Sequence, residues 1–391
     1  MTARDAFPAL RDGYAYLDGA AGTQVPTSVV DAIADTYRRG IGNVGGAFPA
    51  SHRADEIVLN ARAAVADLVG GDPRGVVFGP NMTTLTYRLA NTLAAGWQPG
   101  DEIVVTRLDH DANVRPWVQA AAKAGATVKW AEIDAVGELP ADQFDGLLSD
   151  RTRLVAVTAA SNVLGTRPDV ASITAAAHAA GALTYVDGVH ATPHGPTDRT
   201  ALGADFYATS AYKWCGPHIG AVVADPALLE TLRPDKLASS SDEVPNRFET
   251  GTLPFADLAG VTAAVEHLAG LATATGTRRE RLLTSMTAAE AHEQELFARL
   301  LDGLGQIRGV TLHGAPARRT AVAYFTFDGQ TPRETAELLA AARVNVWNGH
   351  NYAWELTGAL GIRDSGSAVR ASIIHYNNSE DVDRLLNALS T

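Results

Sequence analysis

Short apolar runs rich in β-branched residues recur along this chain with alanine-rich helical stretches between them, and that alternation restricts the fold more than any other feature. The runs are Val76–Phe78, Ile103–Val105, Val128–Trp130, Leu154–Val157, Leu183–Val186, Phe206–Ala208 and Ala221–Val223. Strands that alternate with helices need crossover connections, so the pattern predicts an α/β fold: a mostly parallel sheet with helices on both faces. The stretch from Asp169 to Ala180 is typical, with Pro168 and Asp169 opening it, alanines filling it and Gly181 stopping it before the next run.

Periodicity also divides the chain. Residues 1–50 read as an N-terminal arm that joins a small domain, with one helix near Ser28–Arg39 whose Val29, Ile33 and Tyr37 share a face. Residues 51–255 read as the large domain, and 256–391 as a linking helix and a small α+β C-terminal domain. The linking stretch, from Ala256 to Leu304, is broken near Thr273–Thr277. Beyond it, strands are expected around Val310–His313, Val322–Phe327, Val344–Trp347 and Val369–Ile374, and helices near Arg333–Ala342 and Glu380–Leu389. There is no fixed-period repeat and no low-complexity tract.

Composition excludes several classes of function. The 391 residues carry 32 Lys+Arg against 44 Asp+Glu, a formal net charge of −12, which disfavours a nucleic-acid partner because phosphate neutralisation needs clustered cations. No run of 18 or more apolar residues is present, and no apolar segment follows the first charges, so neither a membrane span nor a secretion signal is expected. One cysteine, Cys215, cannot close an internal disulfide, and neither a cysteine zinc site nor an iron–sulfur site can be assembled from it. A reducing cytoplasm is the expected location.

Gly40–Gly45 fits G-x-G-x-x-G but follows a helix, whereas a dinucleotide site needs it between a strand and a helix; it reads as a turn. Gly79-Pro-Asn-Met-Thr-Thr84 is better placed, directly after one apolar run and before an amphipathic stretch. Backbone N–H groups at that helix start, with the Thr83 hydroxyl, suit a phosphate, although the same pattern serves as an ordinary N-cap. Asp187 ends the Leu183–Val186 run, at the edge where open α/β sheets bind ligands, and Lys213 stands just past the next strand end. Singly, each is more often structural or solvated. Together they fit pyridoxal phosphate, which needs a lysine for its aldehyde, an aspartate for its pyridine nitrogen and a phosphate cup. His190 and His194 have metal-pair spacing, but Pro193 breaks the helix such a pair would need, so no metal is expected.

At these residues the chain resembles the class V aminotransferases, a family of fold-type-I pyridoxal phosphate enzymes, and within it the cysteine desulfurase and selenocysteine lyase branch. The resemblance covers nearly the whole chain and rests on Tyr16–Ala21, Asp109–Asn113, Ser161–Thr166, Val186–Gly188, Ser210–Lys213, Phe248–Thr252, Arg370 with Ala371 and Ser372, and Tyr376 with Asn377. It implies a large domain with a mostly parallel sheet and a smaller α+β domain. It also implies that Lys213 holds the cofactor covalently, that Asp187 pairs with the ring nitrogen and that His110 stacks on the ring. Asn162 and His190 would lie near the ring hydroxyl, with His190 where the branch often has glutamine. The Met82 backbone, Thr83, Ser210 and Tyr212 would form the phosphate cup, completed by Thr252 from the other subunit of a homodimer. Arg370 would grip the substrate carboxylate, with Asn162 and Trp347 beside the substrate.

Departures from the branch set the expected reaction. Cysteine desulfurases carry a nucleophilic cysteine on a small-domain loop; here Asn348–Ala353 has Tyr352 in its place, and Trp347 replaces an arginine typical of that loop. The expectation is therefore a C–S lyase acting on cysteine or a cysteine S-conjugate by α,β-elimination, with Lys213, His110 and Tyr352 as catalytic candidates. An aminotransferase is the alternative, then a desulfurase. The lysine and aspartate argue against a scaffold without catalysis, since neither is needed to hold a shape.

Overall fold

All seven apolar runs of the large domain become strands of one sheet, in the order Val76–Gly79, Gly220–Ala224, Phe206–Ser210, Leu183–Asp187, Thr152–Thr158, Glu102–Thr106, Thr127–Ala131. The last five are mutually parallel, while Gly220–Ala224 runs antiparallel to both neighbours. The computed structural model describes residues 3–390. Apart from the edge strand Thr127–Ala131, which carries Lys129, the strands are largely apolar on both faces because both faces are covered. Val76, Phe78, Val104, Val155, Val186 and Val223 pack with helices Pro49–Val69 and Phe255–Ala269. Their alternating neighbours Val77, Ile103, Val105, Leu154, Tyr185 and Val222 pack with helices Met82–Ala94 and Arg115–Ala124.

A second sheet of four antiparallel strands has the order Trp347–Gly349, Ala368–Ser372, Val322–Phe327, Val310–Leu312. The strand expected over Val344–Trp347 is in fact two. Val344–Asn345 pairs in parallel with Ala15–Tyr16, and only Trp347–Gly349 joins the four-stranded sheet. A two-residue partner such as Ala15–Tyr16 has no periodic signal to announce it. Another correction concerns helix Thr27–Arg38: Val29 is buried and Ile33 packs on the core, but Tyr37, expected on the same face, is 68% exposed. The long helical stretch breaks where expected, between Phe255–Ala269 and Arg278–Gln306, with a capping box of Thr277 and Glu280 starting the second helix. The Gly40–Gly45 turn connects two helices. Phe7 and Leu10 pack against Ile374 and Tyr376, so the arm touches residues that follow the Ala368–Ser372 strand. Among the described residues no helix is long and apolar enough to cross a membrane.

One buried ion pair fastens the Phe248–Thr252 stretch to the large sheet. Arg62 and Glu249 meet at 2.8 Å with both side chains 6% exposed. The Glu249 carboxylate also accepts the Phe78 N–H, and the Arg62 guanidinium donates to Asn246 Oδ1 and to the Val76 carbonyl oxygen. Removing one partner leaves the other charge buried and unmatched. Arg62→Ala should therefore destabilise the fold by about 3–5 kcal/mol in denaturant titrations, against less than 1 kcal/mol for an exposed pair.

Candidate active site

Parallel strands end on one edge of a sheet, and the chemistry-bearing residues collect there. Asp187 closes its strand in register with Thr158 and Ala208 on the two sides. Its Oδ1 accepts the Val189 N–H at 2.9 Å; burial pushes the carboxyl up to about 6, against the pull of that hydrogen bond and of Lys213. Lys213 ends a single 3₁₀ turn directly after the Phe206–Ser210 strand, and its Nζ donates to the Ala20 carbonyl oxygen. Burial first, then Arg370, lowers the amine to about 7, with Asp187 opposing. Both side chains line one cavity with His110, Asn162, His190, Thr83, Met82, Ser210 and Tyr212.

His110 caps a short turn by accepting the Ala112 N–H on Nδ1 at 3.0 Å, which places its remaining ring proton on Nε2. Burial, reinforced by Lys213, Arg370 and His350, lowers it to about 3, so the ring is neutral at physiological pH. Beneath it Asp109, fully buried, accepts from Thr106, from Asn113 Nδ2 and from the Thr158 N–H. Burial raises Asp109 to about 8. Asp109, within the Asp109–Asn113 motif, thus braces the His110 loop against the sheet, a role that no local sequence signal announces.

The anion cradle forms where three strands converge. Gly79 and Ser210 both pair with Gly220, and helix Met82–Ala94 starts beside them. A side chain at Gly220 would put its Cβ 2.2 Å from the Asn81 carbonyl carbon and 2.4 Å from the Met82 nitrogen, so glycine alone lets the helix start come this close. Asn81 caps the helix by accepting the Thr84 N–H. The Met82 N–H, expected to be free, instead donates to Ser210 Oγ at 3.1 Å, which ties the helix start to the strand end next to Lys213.

Asn162 donates from Nδ2 to the Asn351 carbonyl oxygen at 2.9 Å and leaves its buried Oδ1 without a partner in the cavity wall. Arg370, on the Ala368–Ser372 strand, is buried, donates from Nη1 to the Asn162 carbonyl oxygen and leaves Nε unpartnered. Burial brings it down to about 10, so it stays charged at neutral pH. His190 is buried with Nε2 2.9 Å from Thr320 Oγ1, and its ring lies 4.6 Å from that of His194. His194 is committed elsewhere, to Glu293 at 2.6 Å.

Outside this chamber lies a cleft of about 1150 Å³ lined by Tyr87, Arg115, His218, Trp347, His350 and Tyr352 among others. Tyr352 is 67% exposed, has a left-handed backbone (φ 58°) and stacks on His110 at 5.4 Å; its carbonyl oxygen accepts the Asp111 N–H. Trp347 is 51% exposed and sits opposite Arg370 in the sheet register. Thr252 is exposed and does not line the chamber of its own chain.

The family model described as Aminotransferase class-V matches residues 15–385. This protein belongs to the class V aminotransferase family. An uncharacterized protein of Mycobacterium tuberculosis is 37% identical over 99% of this chain and 98% of its own length, and a probable cysteine desulfurase of Pseudomonas putida is 35% identical over 98% and 96%. Among solved structures, the Escherichia coli cysteine desulfurase CsdA superposes with a TM-score of 0.87 at 31% identity, covering 98% of this chain and 96% of that one. The chain is thus a class V enzyme related to cysteine desulfurases.

The depressed Lys213 amine has a direct consequence. Below about pH 7 it is protonated and unreactive; above, it is a free base, whereas an ordinary lysine waits until about 10.4. Trapping of a small aldehyde by reduction should therefore modify Lys213 with a midpoint near pH 7, read peptide by peptide in a mass spectrometer.

Proposed function

We propose that this class V enzyme is a homodimer that binds pyridoxal 5′-phosphate and cleaves the C–S bond of cysteine or a cysteine S-conjugate by α,β-elimination. The residues fit the cofactor: the helix start at Met82 is held against Gly220 and Ser210 beside the chamber, Asn162 Oδ1 is an open buried acceptor, and an amine and a carboxylate share the chamber. Lys213 would hold the cofactor covalently and Asp187 its ring nitrogen. His110 would lie against the ring, and Asn162 and His190 beside the ring hydroxyl. Met82, Thr83, Ser210 and Tyr212 would surround the phosphate. Thr252, exposed on its own chain, would complete the neighbour's cup. Bound there, the cofactor supplies an aldehyde for the substrate amine and a protonated ring that draws electrons from Cα.

The chain's own groups do the remainder. Arg370 presents a buried, charged fork to the substrate α-carboxylate, fixing the Cα–H bond toward Lys213. With its amine near 7, Lys213 Nζ is poised to take that proton at neutral pH. Departure of the β-sulfur calls for a proton donor, and the Tyr352 hydroxyl, on the loop against His110, is the group assigned to it. The outer cleft, with Trp347 and Tyr352 on its rim, is far larger than a cysteine side chain and suits an S-substituent.

One observation carries the choice of elimination over desulfuration. Cys215 is the only thiol, it is fully buried, and it lines neither the chamber nor the outer cleft, so no sulfur nucleophile stands where a persulfide would form. Incubated with pyridoxal phosphate and a cysteine S-conjugate, the protein should release thiol, pyruvate and ammonia, and borohydride should fix the cofactor on Lys213. Cys215→Ser should leave the products unchanged. Alanine as co-product, with persulfide trapped on Cys215, would overturn elimination in favour of desulfuration; a keto acid formed only with an amino acceptor present would make the enzyme an aminotransferase.

A further inference from the structure

A buried polar cluster lies behind Lys213, and the reaction proposed above makes no use of it. Cys215 follows Lys213 by two residues, and its Sγ lies 4.0 Å from Nε2 of His375, three residues beyond the Ala368–Ser372 strand. His267, in the last turn of helix Phe255–Ala269, joins them. One ligand atom from each of the three falls within 4.8 Å of the other two. Phe7 closes the cluster, with its ring 5.1 Å from that of His267 and 5.9 Å from that of His375.

Hydrogen bonding within this region is incomplete. His267 Nε2 and His375 Nδ1 are buried without a partner, and His375 as a whole is only 2% exposed. The neighbouring His194–Glu293 pair, joined at 2.6 Å, also leaves its other polar atoms, His194 Nε2 and Glu293 Oε1, buried and unpartnered. Protein interiors rarely strand one such atom, and several in one place point to an ion or water that belongs there. A thiol with two imidazoles is a donor set that favours borderline-soft metal ions over magnesium or calcium. The buried Glu293 carboxylate, close enough to act electrostatically on Cys215, helps to balance an entering positive charge.

We propose that Cys215, His267 and His375 form a binding site for a divalent transition metal ion of the zinc class. Three atoms no more than 4.8 Å apart have a common point within about 2.8 Å of each, so small side-chain rotations bring them to the 2.0–2.3 Å of zinc–nitrogen and zinc–sulfur bonds. Binding replaces the thiol proton with a metal–sulfur bond and releases that proton to solvent, with no change of oxidation state. Three protein ligands leave one tetrahedral position for water. The ion would tie the loop after Lys213 to helix Phe255–Ala269 and to the chain beyond Arg370. Unlike a site of cysteines alone or the local His190–His194 pair, this set combines one cysteine with two histidines remote in sequence.

Zinc chloride and cobalt chloride are the probes. After dialysis against zinc and gel filtration, elemental analysis should find one equivalent per chain, and the cobalt form should show thiolate-to-metal charge-transfer absorption. Cys215→Ser and His267→Gln should each lose both signals while keeping the wild-type circular dichroism spectrum. Zinc should raise the melting temperature of the wild type and leave that of Cys215→Ser unmoved. Absence of retained metal, metal retained equally by Cys215→Ser, or a zinc-soaked crystal with only water between the three side chains would overturn the proposal.

Discussion

Burying an amine and a guanidinium with only Asp187 and Asp18 to offset them is electrostatically expensive, and the rest of the molecule is arranged around that cost. Arg370 and Asp187 are buried and Lys213 is largely so, yet none forms a direct ion pair with another among the described residues. The two cations repel each other, and Asp187 only partly offsets them. Arg370 keeps a positive charge in the chamber at neutral pH, where Lys213 is part free base, and the helix start beside Ser210 offers backbone dipoles of the same sign. The anionic cofactor and amino acid proposed above would meet that charge.

The fold keeps such a site from collapsing. Parallel strand ends hold Asp187 and the Lys213 loop at fixed separation, because register in a sheet buried on both faces cannot slip without exposing apolar residues. Asp109 supplies the next layer, its buried carboxyl group hydrogen-bonded to Thr106, Asn113 and the Thr158 N–H and so fixing the loop that carries His110. The four-stranded sheet contributes Arg370, and the loop between two of its strands contributes Tyr352. Hydrogen bonds from Asn162 to Asn351 and from Asp111 to Tyr352 join that loop to the large sheet. Access to the chamber therefore passes the Tyr352 rim.

The large sheet was legible in the sequence because most of its strands are short apolar runs, as burial on both faces favours; the edge strand Thr127–Ala131, by contrast, carries a cation, Lys129, in its middle. Asp187 and Lys213 were legible for the related reason that a polar residue at the end of such a run marks the ligand-binding edge. Short-range contacts between distant segments were not legible. Ala15–Tyr16 is too brief to show a period, and Tyr37 keeps the helical spacing of Val29 and Ile33 although its ring is mostly exposed. The Cys215, His267 and His375 set is assembled by topology from positions 52 and 108 residues apart, which no local pattern records. The engagement of Met82 by Ser210 likewise depends on a close approach across Gly220 that only coordinates disclose.

The central claim is that Asp187 acts on the cofactor ring and does more than cap a strand. Single-turnover and steady-state rates of Asp187→Asn, reconstituted with pyridoxal phosphate and checked for cofactor content by absorbance, test it most directly. The account predicts a protein that still binds the cofactor but turns over several orders of magnitude more slowly, since the amide cannot hold the ring nitrogen's proton. A rate within about tenfold of wild type, equivalent to only about 1.4 kcal/mol of barrier, would contradict it.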